Sequence, residues 1–422
     1  MLTREENEAL CLVGPGSLMG EFLREHWLPA IRTPMLMAGG APVRVRLAGE
    51  NFVAFRATDG RVGFFDEGCP HRCTSLALAR NEDNALTCIF HGWKIDVSGK
   101  VVEVPSEPPE RRAEFAAKVR VRHYPVREAG GAVWVYLGKR EQPPRFYNFE
   151  FNSLDAAHCA PNRAVLHCNW MQGFEAVLDS AHVGFLHRAS LRTNSADARL
   201  ATVTSPVFEL SLRPYGFREG ALRNLRDGTI YARIREVVLP LFSFIPLSPE
   251  GRKLMICAIA LDDEWTAQWY FWYDPDKPLP EMVGSMGNTS DDPDNFCSDM
   301  GSIENCWNQD RDKMREGHWS GLRCFDYEDF VCQEAMGPIV DRSREYLGSS
   351  DSIVIKVRRW LLEAAREFRK TGKVGFAQDL PSANYAKIRA LAIRYKAEID
   401  WQTLDSFNPP EPIIDNSKKE FI

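Results

Sequence analysis

From residue 43 the chain alternates apolar and polar positions, with Val43, Val45 and Leu47 facing one way in VRVRL, the period-two pattern of a half-buried strand. The run FVAFRATDGRVGFFD predicts two further strands joined across Asp59-Gly60, a dipeptide that supplies the positive φ of a tight hairpin. Trp93, Ile95 and Val97 alternate again, Ser98-Gly99 turns the chain, and Val101 and Val102 begin the return. AVWVYL gives a last strand before the Pro143-Pro144 break. These elements predict an all-β domain over residues 41–140.

Beyond residue 160 the period changes. Asn169 to Phe185 places Trp170, Phe174, Val177, Leu178 and Ala181 at the spacing of a core-facing helix. Strand-like runs follow at Val203 to Leu212, Thr229 to Phe244, Lys253 to Leu261 and Ala267 to Tyr273, which predict a sheet. Helical patterns return at Asp329 to Tyr346, Ile353 to Lys370 and Ser382 to Tyr395. Residues 284–300 are rich in Gly, Pro and Asp and read as a mobile loop. The expected organisation is therefore α+β. It has an N-terminal helical segment, 1–40, packed on the last domain, the all-β domain at 41–140, and a sheet-and-helix domain at 141–422.

A length of 422 residues fits two or three domains with ample core. An apolar fraction of 44% and a net charge of −6 are ordinary for a globular protein and argue against a nucleic-acid surface. The first thirty residues interleave Arg4, Glu5, Glu6, Glu21, Arg24 and Glu25 with apolar positions. Neither a secretory h-region nor a membrane span is expected there, and a cytoplasmic address follows. Eleven cysteines are too few and too scattered for a disulfide framework.

Cys69-Pro70-His71 and Cys88-Ile89-Phe90-His91 spell C-x-H, sixteen residues, then C-x-x-H. Such a set can hold a two-iron cluster asymmetrically, with thiolates from Cys69 and Cys88 on one iron and imidazoles from His71 and His91 on the other. That is the ligand pattern of a Rieske [2Fe-2S] centre. Zinc is the competing occupant, but zinc fingers pair cysteine with cysteine and histidine with histidine. Cys73 lies four residues beyond Cys69 and reads as a structural neighbour, because the four-ligand set is complete without it.

A second rhythm, E-x3-D-x2-H-x4-H, runs through Glu175, Asp179, His182 and His187. Two histidines and a carboxylate make the facial triad of non-haem iron(II) oxygenases. Five residues turn an ideal helix by about 500°, so the helix is expected to end or bulge near Gly184 to bring both imidazoles inward. Asp179 and Glu175 suit a supporting role. The third ligand is expected from the Tyr327-Glu328-Asp329-Phe330 segment, which offers both Glu328 and Asp329.

With both motifs placed, the chain resembles the α subunit of Rieske non-haem iron ring-hydroxylating oxygenases, most of all the phthalate dioxygenase group. The resemblance rests on MLTREENEALCLVGPGSLMGEFLREHWLPA, CPHR, FHGWK, EAVLDSAHVGFLH and YEDFVCQEAMGPIVDRSREYLGSSD. It implies a catalytic domain of the helix-grip type and favours Asp329 as the third iron ligand beside His182 and His187. It further implies head-to-tail trimers or a stacked pair of them, with Asp179 bridging His91 of one subunit to His182 of the next.

Electrons would then come from NADH through a flavin and iron-sulfur reductase, and O2 would be co-substrate. The expected reaction is hydroxylation of an aromatic carboxylate, of phthalate, isophthalate or phenoxybenzoate type, to a cis-dihydrodiol. Arg233 and Arg235, two apart on one strand face, and Ser180 are the candidates for holding substrate, with Arg213, Arg218 and Arg223 behind them. Pro206-Val207-Phe208 stands where the phthalate enzymes carry an arginine, which leaves aryl acids other than ortho-phthalate open. Oxidative O- or N-demethylation is the alternative reaction, and a Rieske electron carrier without oxygenase activity is a third reading.

Overall fold

A computed structural model of the chain describes all residues except Met1, 192–199, 201–202, 248–250, 281–289, 377–383, 411–412 and 414–422. The chain divides into two units, the larger from Met1–Cys11, Asn148–Ala258 and Glu264–Ile422, the smaller from Leu12–Tyr147 and Ile259–Asp263. Helix α1 (Arg4–Cys11) groups with the larger unit, whereas α2 (Leu18–Leu23) and strand β1 (Trp27–Arg32) group with the smaller. Residues 1–40 are thus not one helical segment on the last domain. WLPAIR is buried along almost its whole length and pairs with the strand Ala132–Tyr136, so it carries no alternation to betray it.

The smaller unit holds three small antiparallel sheets. β2 (Val43–Leu47), β3 (Glu50–Arg56) and β4 (Val62–Asp66) form one, and the short strands β5 (Arg80–Glu82), β6 (Ala85–Thr87), β7 (Lys94–Asp96) and β8 (Val101–Glu103) form another. After α3 (Arg112–Lys118), β9 (Val126–Ala129) and β10 (Ala132–Tyr136) complete the third with β1. The expected turns at Asp59-Gly60 and Ser98-Gly99 form, with φ of +92° at Gly60 and +79° at Gly99. Val53, Phe55, Phe65, Leu86, Trp93 and Ile95 pack in a core that includes Cys69 and Cys88.

The larger unit is built on one antiparallel sheet. Its strands are β11 (Cys159–Leu166), β12 (Val207–Arg213), β13 (Gly216–Asn224), β14 (Thr229–Val238), β15 (Phe242–Phe244), β16 (Lys253–Ala260), β17 (Thr266–Tyr273) and β18 (Leu391–Lys396). Their order is β11-β17-β16-β15-β14-β13-β12, with β18 paired to β14 beyond the end of β15. The helices are α4 (Trp170–Leu178), α5 (Val183–Leu186), α6 (Arg311–Arg315), α7 (Phe325–Ala335) and α8 (Ser352–Thr371).

Three helix expectations change. The helix expected over Asp329 to Tyr346 begins four residues earlier and ends at Ala335. Residues 391–395 of the helix expected over Ser382 to Tyr395 belong instead to β18 (residues 382 and 383 lie outside the described residues), because the open edge of β14 captures a segment whose Ala, Leu and Lys favour helix locally. Asn169 to Phe185 is two helices, not one. Of the expected loop at 284–300, residues 284–289 lie outside the described residues, and the remainder is turns.

Candidate metal centres and substrate cavity

The two cysteine-histidine loops of the smaller unit have the same backbone plan. Cys69 N–H donates to Thr74 O (2.8 Å) and its carbonyl accepts from Cys73 N–H (2.9 Å). Cys88 N–H likewise donates to Trp93 O (2.8 Å) and its carbonyl accepts from Gly92 N–H (2.9 Å). Closing each loop needs a left-handed residue, Cys73 at φ +59° and Gly92 at +72°. The loops present the cysteines buried and the histidines nearer the surface.

Ligand atoms sort by type. His71 Nδ1 lies 3.1 Å from His91 Nδ1, and His71 stacks on Trp93 with ring centroids 4.6 Å apart. Burial, with a further contribution from neighbouring Cys88, pushes the Cys69 thiol up to about 11. Zinc ligands bonded at about 2.0–2.3 Å lie within about 4 Å of one another. The only set of three or more His, Cys, Asp or Glu among the described residues whose ligand atoms all fall within 4.8 Å is elsewhere, at His182, His187 and Asp329. Thiols on one side and imidazoles on the other fit a two-iron cluster rather than a single ion.

In the larger unit, α4 starts where Asn169 accepts from Met171 N–H (3.1 Å) and buries Trp170, Phe174, Val177 and Leu178. It ends at Asp179, five residues before the expected irregularity at Gly184. The physical cause lies in the sheet. Arg235 on β14 donates to Leu178 O and, at 3.4 Å, to Asp179 O, so the helix's last carbonyls find partners without a further turn. Released from the helix, Asp179 accepts from Ala181 N–H (2.6 Å) and His182 N–H (3.3 Å), and its Oδ2 faces His182 Nδ1 at 3.2 Å.

The short α5 then carries the chain to His187. That ring is fully buried and stacks on Phe325 with centroids 3.5 Å apart. Helix α7 grips it from both sides with consecutive carboxylates: Glu328 Oε2 lies 2.8 Å from Nδ1, and Asp329 Oδ1 lies 3.2 Å from Nε2. Asp329 Oδ1 is also 3.3 Å from His182 Nε2.

The donor set fits a cation. His187 Nε2 is buried and makes no aligned hydrogen bond, even to Asp329, as a nitrogen aimed at a metal should. Burial opposes charge here, yet hydrogen bonds to Asp179 and Asp329 raise His182 to about 10, and the two imidazoles hold Asp329 well below the ordinary carboxylate range. Glu328, an alternative for the third ligand in the sequence, takes a different role. Its Oε1 accepts from Ser320 Oγ, so it stands behind His187 as Asp179 stands behind His182.

A cavity of about 300 Å³ is lined by His182 and Asp329 of this set, with Asp179 beside them. Val177, Leu254, Ile256 and Tyr270 supply apolar wall, and Arg233, Gln268 and Gln333 interrupt it. Several expected positions fall elsewhere. Arg235 lines the cavity, but its guanidinium is committed to Glu219 (2.7 Å) as well as to the α4 carbonyls. Ser180 is not in the cavity wall, and its carbonyl accepts from Arg223. Arg218 pairs with Glu236 (3.2 Å), and Glu175 pairs with Arg342 (3.0 Å) and Arg358 (2.6 Å). Neither supports the triad.

Two donor sets of unlike design, one cysteine-histidine and one histidine-carboxylate, fit the two iron sites of an oxygen-activating redox protein. Residues 26–125 match the Rieske [2Fe-2S] domain family, and residues 135–417 match the LigXa C-terminal domain like family. The chain belongs to the oxygenase α subunits of the Rieske non-haem iron oxygenases.

The chain is 35% identical to the phthalate 4,5-dioxygenase oxygenase subunit of Pseudomonas putida, over 95% of this chain and 94% of that one. It is 30% identical to the 5,5'-dehydrodivanillate O-demethylase oxygenase subunit of Sphingobium sp. strain SYK-6, over 86% and 80%. The fold matches the terminal oxygenase of carbazole 1,9a-dioxygenase from Nocardioides aromaticivorans IC177, with a TM-score of 0.59 and 20% identity over 86% of this chain and 97% of that one. The protein is thus an O2-dependent oxidoreductase that uses a Rieske [2Fe-2S] cluster and a mononuclear iron, and the electron-carrier reading falls. Among the described residues, no helix is long and apolar enough to cross a membrane.

Proposed function

We propose that this chain is the terminal oxygenase of a multicomponent system that converts an aromatic carboxylate to a cis-dihydrodiol. Cys69, His71, Cys88 and His91 hold the cluster, and His182, His187 and Asp329 hold the iron. The observation that carries this reading is the largely apolar cavity that meets the triad, with a buried arginine, Arg233, in its wall. A flat ring suits such walls, and a guanidinium is the natural partner of a planar carboxylate.

Bound at the triad, the iron supplies oxygen activation. The chain's own residues set the conditions for it. Asp179 and Glu328 accept hydrogen bonds from the Nδ1–H groups of His182 and His187, which turns both Nε2 lone pairs toward the site. The cavity's aliphatic and aromatic side chains exclude water around the substrate. The stoichiometry is arene plus O2, NADH and a proton giving cis-diol and NAD+, with the reductase delivering the electrons.

Assembly as head-to-tail trimers, alone or stacked in pairs, accompanies this reading. Ile89 and Phe90 beside the cluster ligand His91 are 58% and 53% exposed. Phe185, Trp319 and Met336, exposed apolar residues, line a shallow depression shared with Asp179 and His182. The Asp179 side chain keeps 31% of its surface open, enough to accept a further hydrogen bond from His91 of a neighbouring subunit.

The demethylase relative favours a second reaction on the same site, in which an aryl methyl ether, O2, NADH and a proton give phenol, formaldehyde, water and NAD+. A single turnover of reduced, iron-loaded protein with labelled oxygen and a panel of aryl acids separates them. Two labelled atoms in a diol establish the dioxygenase, and formaldehyde release establishes the demethylase. Absence of product with both metals in place overturns the aryl-acid reading.

A further inference from the structure

The cavity wall contains polar groups that the protein does not satisfy. Gln268 lies on β17 and Gln333 on α7, and each is almost wholly buried. Both atoms of the Gln333 amide and the carbonyl oxygen of Gln268 lack a hydrogen-bond partner. Buried amides are normally paired, and leaving them unpaired is costly. Three such atoms on one side of a substrate cavity mark a place where a ligand completes the bonding.

Their placement is specific. Gln333 follows Asp329 by four residues on α7, so it shares that face of the helix about 6 Å further along. The Gln268 and Gln333 oxygens lie 3.5 and 3.4 Å from the point where a Cβ on Gly173 would stand, so the two amide oxygens are neighbours. Arg233 sits on β14, and β15 and β16 separate that strand from β17. On that strand Arg233 is paired with Ala392 of β18, so it stands on a different part of the cavity wall from the two amides.

We propose, resting on the aryl-acid reading above, that Gln268 and Gln333 form a neutral subsite selecting substrates that carry a ring hydroxyl away from the carboxylate. A hydroxyl donates to one amide oxygen and accepts from the Gln333 amide N–H, and so satisfies groups of both kinds. Rotation of either amide exchanges donor for acceptor but leaves the pair neutral. A second carboxylate would be desolvated between two neutral amides, so a dicarboxylate with its second group here is disfavoured. A ring hydrogen leaves all three atoms unpaired. Discrimination by a buried hydrogen bond of this kind is about tenfold to a hundredfold in affinity.

The test compares benzoate with its three monohydroxy isomers on the iron-loaded oxygenase with its cluster oxidised, using titration calorimetry for affinity. At least one hydroxybenzoate should bind tenfold or more tightly than benzoate. In Gln268→Met and Gln333→Met the ratio of the two affinities should fall toward one, a change that a general loss of packing cannot produce because it weakens both ligands alike. Aryl acids bound without hydroxyl preference by the wild type, or a preference unchanged in both variants, would overturn the subsite alone. Failure of the loaded wild type to bind any of the four acids would overturn the aryl-acid reading and this subsite with it.

Discussion

Glu328 and Asp329 are neighbours in sequence and face the same ring from opposite sides, one at Nδ1 and the other at Nε2. A carboxylate behind a metal-bound imidazole fixes its tautomer and strengthens it as a ligand, and loss of such a partner typically costs tenfold to a hundredfold in metal affinity. Glu328→Ala should therefore weaken iron retention by about that factor, read by competition with a chelator, while the visible spectrum of the Rieske cluster stays unchanged. Glu328→Gln, which still accepts a hydrogen bond, should fall between. Another buried acid gives a pH signature. Burial pushes Glu236 up from 4.5 to about 7, even with Arg218 beside it and Tyr215 O–H donating at 2.8 Å. The folded state therefore holds this proton more tightly than the unfolded chain does. Its contribution to stability is full below pH 4.5 and is lost as pH rises through about 7, a swing of about 3 kcal/mol. Melting curves from pH 4.5 to 7.5 should show wild type losing ground to Glu236→Gln as pH rises, and parallel curves would contradict the shift.

At the scale of elements, the paired cluster loops explain why Cys73 adopts a conformation that favours glycine: it occupies in one loop the position that Gly92 occupies in the other. Cys73→Gly should relieve about 1 kcal/mol of left-handed strain, less the entropy that glycine adds to the unfolded chain. The expected result is a small rise in melting temperature with an unchanged Rieske spectrum, whereas a spectral shift would mean that this thiol touches the cluster. The cluster loops and the flanking hairpins were legible in sequence because each is local, a turn dipeptide or a ligand spacing read between Cys69 and His91. β13 was not, since GFREGALRN shows neither period. Its charges are buried only because Arg218 faces Glu236 and Glu219 faces Arg235 across the register with β14. The break after α4 was misplaced for the same reason: the arginine that donates to the helix's carbonyls lies 57 residues away from Leu178. Gln268 left a trace that sequence could have offered, a lone amide within the otherwise apolar and aromatic run AQWYFWY, but its partner Gln333 came only with the fold.

For the whole molecule the decisive question is which cluster serves which iron. If each subunit's cluster feeds the iron of its neighbour, two inactive variants damaged at different centres should rescue one another when assembled together. His71→Ala removes an imidazole from the cluster loop, and His182→Ala removes one from the facial triad, so neither protein alone should form product. Co-expressed with distinct affinity tags and purified through both, the mixed assemblies contain subunit boundaries where an intact cluster meets an intact triad, and product should reappear. Mixing the separately purified proteins without subunit exchange should restore nothing. Within one subunit the damaged partners stay together whatever the neighbours are, so transfer confined to a single chain leaves the mixed assemblies inactive. Adding Asp179→Asn to the rescuing subunit sharpens the result. That residue's position beside His182 and its open carboxylate edge make it the natural link across the boundary. Its loss should slow the rescue while both metals stay bound, and an undiminished rate in a single-turnover measurement would remove Asp179 from the path.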